Sequence, residues 1–75
     1  MIRLLMTEPY LTTEQLAHRW GLKPSTIKSQ RSRGNGPPHY VIPRIALPAG
    51  EKRVRYALSA VLAFEEANGI TPLNP

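Results

Sequence analysis

The residues best suited to chemistry in this 75-residue chain are hydroxyls and cations, and they fall into two groups. Ser25, Thr26, Lys28, Ser29, Arg31, Ser32 and Arg33 form the first, in a stretch with no acid between Glu14 and Glu51. Short hydroxyl side chains let a backbone come close to a ligand, and lysine or arginine can reach guanine edges or phosphate. On a helix, that set suits insertion into the major groove of duplex DNA. The competing reading is a short solvent-facing helix with ordinary polar decoration; the acid-free stretch and the tight turn before it favour the groove. Arg44, Lys52, Arg53 and Arg55 form the second group, on a segment patterned as a β-hairpin. An arginine-bearing hairpin can enter a minor groove or ride on phosphates, and the same charges also protect an edge strand from pairing. Strand alternation puts Arg53 and Arg55 on one face, with Val54 and Tyr56 inward and Lys52 on their side, so Arg53 is the stronger candidate.

Other chemistries find little material. The chain has no cysteine, which excludes disulfides, thiolate metal sites and cysteine nucleophiles. It has no aspartate, and its five acids are all glutamates. His18 reads as a surface residue, and His39, after two prolines, as a packing or phosphate contact. Neither histidine has a partner at metal-binding spacing, and Gly34-Asn35-Gly36 lacks the lysine and helix of a phosphate loop. An enzyme is not expected, nor any cofactor or metal. The formal net charge of +5 favours polyanionic partners.

The elements that must carry these groups are short. The length allows one small domain, expected over 11–68 between an arm at 1–10 and a tail at 69–75. Thr12 and Gln15 have capping-box spacing, Leu16, Ala17 and Trp20 follow at helical spacing, and Gly21 is a natural C-cap, predicting a helix over 12–20. Pro24 suits the first position of a second helix that stops near Gly34. Helices this close, joined by Gly21-Leu22-Lys23, make a helix-turn-helix unit. Tyr40–Ile42, Arg44–Leu47 and Lys52–Tyr56 read as strands of one hairpin, turning at Pro48-Ala49-Gly50, with Pro43 at an edge or bulge. Ser59 is expected to cap a third helix that ends at Asn68-Gly69. The arm, with Ile2, Leu4, Leu5 and Met6, reads as either a strand or a turn of helix. The expected core is Leu16, Trp20, Ile27, Val54, Tyr56, Val61 and Phe64. The fold class is therefore mainly α with a small β-hairpin: a winged helix-turn-helix of three short helices plus a wing.

Taken in order, Leu11-Thr12-Thr13-Glu14-Gln15-Leu16-Ala17, Trp20-Gly21-Leu22, Pro24-Ser25-Thr26-Ile27, Arg31 to Pro38, and Arg53-Val54-Arg55-Tyr56 with Ser59 and Phe64 resemble the excisionase/AlpA-like helix-turn-helix family. That family is related to the DNA-binding domains of MerR-type regulators. The resemblance covers about residues 10–67 and implies a small phage- or mobile-element protein. Such proteins bind and bend double-stranded DNA and direct an integrase toward excision, or they regulate transcription. By position, Ser25, Lys28 and Ser29 match groove-facing places, and Arg53 and Arg55 match the wing. The chain departs from the pattern at Gln30, where a large apolar residue is common, at Ala60, where an acid often follows the serine, and in its longer hairpin.

The expected partners are double-stranded DNA, an integrase or recombinase, and further copies arranged head to tail on DNA. The arm and the tail (Ile70, Leu73) are candidates for those contacts. A protein-interaction module, such as an antirepressor, is the alternative without DNA. No apolar run approaches the roughly 20 residues that span a bilayer, and Met1–Met6 is too short for a signal peptide, so a cytoplasmic, nucleoid-associated protein is expected.

Overall fold

In the computed structural model, which describes residues 9–47 and 52–75, the first helix begins where its cap residues require. Thr12 Oγ1 accepts from the Gln15 N–H at 3.1 Å, and Gln15 Oε1 accepts from the Thr12 N–H at 2.9 Å. This reciprocal pair satisfies two amides that α1, Thr13–Trp20, could not satisfy itself. Gly21 ends α1 at φ 72°, and the Leu22 N–H reaches back to the Ala17 carbonyl at 2.8 Å. A Cβ on Gly21 would also collide with the Leu73 side chain. Helix α2, Pro24–Ser32, follows at once with proline in its first turn.

The third helix, α3, spans Leu58–Asn68 and ends at Gly69. Its N-cap is Ala57, so Ser59 lies inside the first turn and not at the cap as expected. The reason is continuity: β3 (Val54–Ala57) runs straight into the helix, and the Leu58 N–H is satisfied by the Pro9 carbonyl at 3.0 Å.

Three strands form an antiparallel sheet in the order β1-β3-β2. Strand β1, Tyr10–Leu11, pairs Tyr10 with Ala57 and Leu11 with Tyr56. The end of the arm is thus strand at Tyr10; residues 1–8 lie outside the described part. Strand β2, Tyr40–Val41, pairs Tyr40 with Arg55 and Val41 with Val54. One further bond, from the Ile42 N–H to the Arg53 carbonyl at 2.7 Å, extends this ladder. The expected strand at Arg44–Leu47 does not form. Arg44–Ala46 is a 3-10 turn whose Ala46 N–H bonds the Pro43 carbonyl at 2.9 Å. Pro43, with no N–H to give a ladder, ends the pairing and starts the turn. The predicted turn at Pro48–Gly50 lies outside the described residues.

The core is Leu16, Ala17, Trp20, Ile27, Tyr56 and Val61, with Leu11, Val54, Phe64 and Ile70 packed against it. Five of the seven expected core residues are buried, and Val54 and Phe64 are partly so. Trp20 stacks on Phe64 with ring centres 6.0 Å apart. A charged clasp adds to this packing. Glu65, only 5% exposed, accepts from Arg19 Nε at 2.7 Å, Arg19 Nη2 at 3.0 Å and the indole Nε1 of Trp20. The Arg19 hydrogen bonds hold the Glu65 carboxyl below its usual range; burial opposes this and the Trp20 bond assists it. The tail closes over the same place: the Leu73 and Asn74 amides donate to the Arg19 carbonyl at 2.9 and 3.0 Å, and Asn74 Nδ2 donates to the His18 carbonyl at 2.7 Å. These bonds satisfy carbonyls that a helix C-terminus leaves open.

Candidate nucleic-acid interface

Helix α2 is held by one face and displays the other. Ile27, 2% exposed, is its apolar anchor. Arg31, one turn later and therefore on the same side, is its polar anchor. Its Nη1 donates to Thr13 Oγ1 at 3.2 Å and to the Tyr56 hydroxyl at 3.0 Å, tying α2 to both α1 and β3. Arg31 was grouped by sequence with the groove-facing residues; the structure turns it toward the domain, and it is half-buried.

The outward side carries Ser25, Lys28, Ser29, Ser32 and Arg33, all exposed. At 100° per residue Ser25, Ser29 and Ser32 line up in a stripe, with Lys28 along one flank and Arg33 along the other. Arg33 Nη2 lies 3.4 Å from Ser29 Oγ. Ser25, Thr26, Ser29, Gln30 and Arg33 line a shallow polar depression. Thr26 and Gln30 are half-buried at its edge. Sequence reading noted Gln30 only as a misfit to a family pattern. Its carboxamide is a donor and an acceptor at the border of this surface, and its place one turn after Thr26 and three residues before Arg33 was the available signal.

The hairpin presents its cations differently. Arg53 is exposed, and its Nε donates to the Ile42 carbonyl at 3.0 Å across the β2–β3 ladder. Arg55 is half-buried, and its Nη1 donates to the Lys52 and Val54 carbonyls at 2.8 and 3.0 Å. A guanidinium has five N–H donors, so both retain capacity for an anion. Arg44 stands exposed in the 3-10 turn. Lys52 follows the alternation and falls on the side of Val54 and Tyr56, toward α1. There its Nζ lies 3.0 Å from Glu14 Oε2.

Glu14 is a participant that sequence reading left out. The Lys52 hydrogen bond, then the backbone amide of Glu14 itself, hold its carboxyl below the ordinary range. Slight burial opposes this, and the charges of Lys52 and Lys28 reinforce it. The carboxylate thus feels cations from both the hairpin and α2.

His18 is exposed, as expected. The His39 ring lies 6.2 Å from that of Tyr56, a packing contact. On the sheet, Tyr10, Tyr40, Val41, Ile42, Pro43, Ala46 and Arg55 line an apolar groove, with the Tyr10 and Tyr40 rings edge to face. Among the described residues, no three histidine, cysteine or acidic side chains converge to hold a metal. No described helix is long and apolar enough to cross a membrane. Comparisons with protein-family models, with curated proteins and with solved structures found no match.

Proposed function

We propose that this chain binds double-stranded DNA, with α2 in the major groove and the β2–β3 hairpin lying as a wing on the neighbouring backbone. The observation that carries this reading is the outward face of α2: an exposed stripe of Ser25, Ser29 and Ser32 between Lys28 and Arg33, on a helix fastened from behind by Ile27 and Arg31. Side chains that short allow close approach of the helix to base edges, and the flanking cations meet phosphate or guanine. A helix braced from behind loses little further freedom on binding. The exposed Arg53 and the half-buried Arg55 supply a second, backbone-directed contact.

Within DNA binding, the resemblance to excisionase/AlpA-like proteins favours a recombination directionality factor that bends its site for an integrase. A small transcriptional regulator uses the same contacts. Fluorescence anisotropy with a short labelled duplex tests the common claim, and saturable binding is expected. An excision assay with an integrase and its attachment-site DNA then separates the two roles: a directionality factor raises the yield of excision, and a regulator leaves it unchanged.

A further inference from the structure

The Glu14–Lys52 pair lies on the α1 side of the hairpin, close enough to α2 for the Lys28 charge to act on Glu14, and it is a pairing that weakens any phosphate contact made there. Lys52 belongs to the second group of cations, yet in the folded chain its ammonium is already neutralised by an acid from another element, 3.0 Å away. Glu14 is in the first turn of α1, where it also covers the positive end of that helix. Both side chains remain substantially exposed, 59% for Lys52 and 46% for Glu14, so solvent and anions reach them. Exposed pairs of this kind contribute little to folding stability. The pair's larger effect is on the local potential: a lysine that would attract phosphate is cancelled at its source, beside Lys28 of α2.

Resting on the DNA-binding reading above, we propose that Glu14 is a built-in competitor for DNA phosphate. It holds Lys52 in the free protein, limits affinity for backbone alone, and so leaves discrimination to the α2 face. When phosphate arrives, Lys52 must leave Glu14, and the carboxylate left behind faces a polyanion. What the lysine gains from phosphate, the abandoned acid largely removes. Affinity for any duplex is therefore lower by about one phosphate contact than the cations suggest.

The test uses the full chain and a short random-sequence duplex, titrated across a range of salt. Glu14→Gln keeps the shape and removes the charge. It is expected to tighten binding about fivefold near 0.15 M salt, with log K falling more steeply against log salt by about 0.9. The gain depends on Lys52, so the double variant Glu14→Gln/Lys52→Ala returns to the wild-type slope, and Lys52→Ala alone binds more weakly than wild type. Glu66→Gln, an exposed acid on α3, changes net charge equally and controls for long-range attraction. Three results would overturn the proposal: no tightening in Glu14→Gln, a steep slope that survives in the double variant, or an equal gain in Glu66→Gln. Failure of the wild type and all variants to bind duplex would instead remove the DNA-binding reading, and this inference with it.

Discussion

Lys28 and Arg53 are both exposed cations, and on the DNA-binding reading they have different tasks. Lys28 flanks the serine stripe of α2, which the proposed docking would bring to base edges in a groove. Arg53, exposed just before β3, is bonded to the Ile42 carbonyl through Nε, and the same docking would set it against phosphate. Lys28→Ala is therefore expected to relax sequence preference, costing roughly 1–3 kcal/mol on a preferred site and much less on random duplex. Arg53→Ala is expected to weaken both about equally. Competition binding on a selected site and on random duplex measures this; equal losses for Lys28→Ala would make it a phosphate contact. At this scale sequence reading separated inward from outward residues only where the side chain was unambiguous. Ile27 was legible as an anchor because it is apolar. Arg31 was not, because an arginine on the inward face of a helix looks like any other arginine until Thr13 and Tyr56 arrive from distant positions to receive it.

The elements were legible where local chemistry decides them. Thr12 with Gln15, Pro24, and the glycines at 21 and 69 act within a few residues, and the helix ends at those points follow them closely. The third helix start was misplaced because its first amide is satisfied by Pro9, about fifty residues away. The alternation of Arg44–Leu47 suggested a strand, but strand formation needs a ladder partner, and Pro43 ends the ladder one residue earlier. Gly21 is the strongest positional requirement of any element junction. Its φ of 72° disfavours a side chain, and the space a Cβ needs is held by Leu73. Gly21→Ala is expected to lower stability by roughly 1–2 kcal/mol from backbone strain, with little added, because the Leu73 methyl in the way belongs to a largely exposed side chain that can turn aside. Thermal unfolding measures it. Leu73→Ala in the same chain should recover little of the loss; full recovery would show that the backbone there is unstrained.

Over the whole molecule, α1, α3 and the tail converge on one buried carboxylate. Helical spacing from Val61 and Phe64 puts Glu65 on the core face of α3 and Glu66 off it, but only the assembled fold brings Arg19 and Trp20 to the first and leaves the second in solvent. Because folding lowers the Glu65 pKa, its contribution is complete above the ordinary carboxylate value of about 4.3 and is lost as pH falls below it. Acid unfolding should therefore set in below about pH 4. Glu65→Gln should flatten that dependence while lowering stability at neutral pH by roughly 2–4 kcal/mol, since Arg19 is left without its partner. Melting temperature followed against pH checks both; an unchanged acid limb in the variant would assign the effect elsewhere. The tail, a candidate for subunit contacts from sequence, is fastened to the end of α1 by the Leu73 and Asn74 amides and the Asn74 carboxamide, and the Leu73 side chain stays largely exposed.

On the DNA-binding reading, cations on two elements, α2 and the hairpin, engage one duplex together. The affinity of the full chain for duplex DNA as a function of salt measures this. Phosphate contacts by Arg33, Arg53 and Arg55 together, with Lys28 on base edges, predict a linear fall of log K with log salt at a slope of roughly −3, each phosphate contact adding about −0.9. A slope near zero, or the absence of saturable binding at low salt, would contradict it.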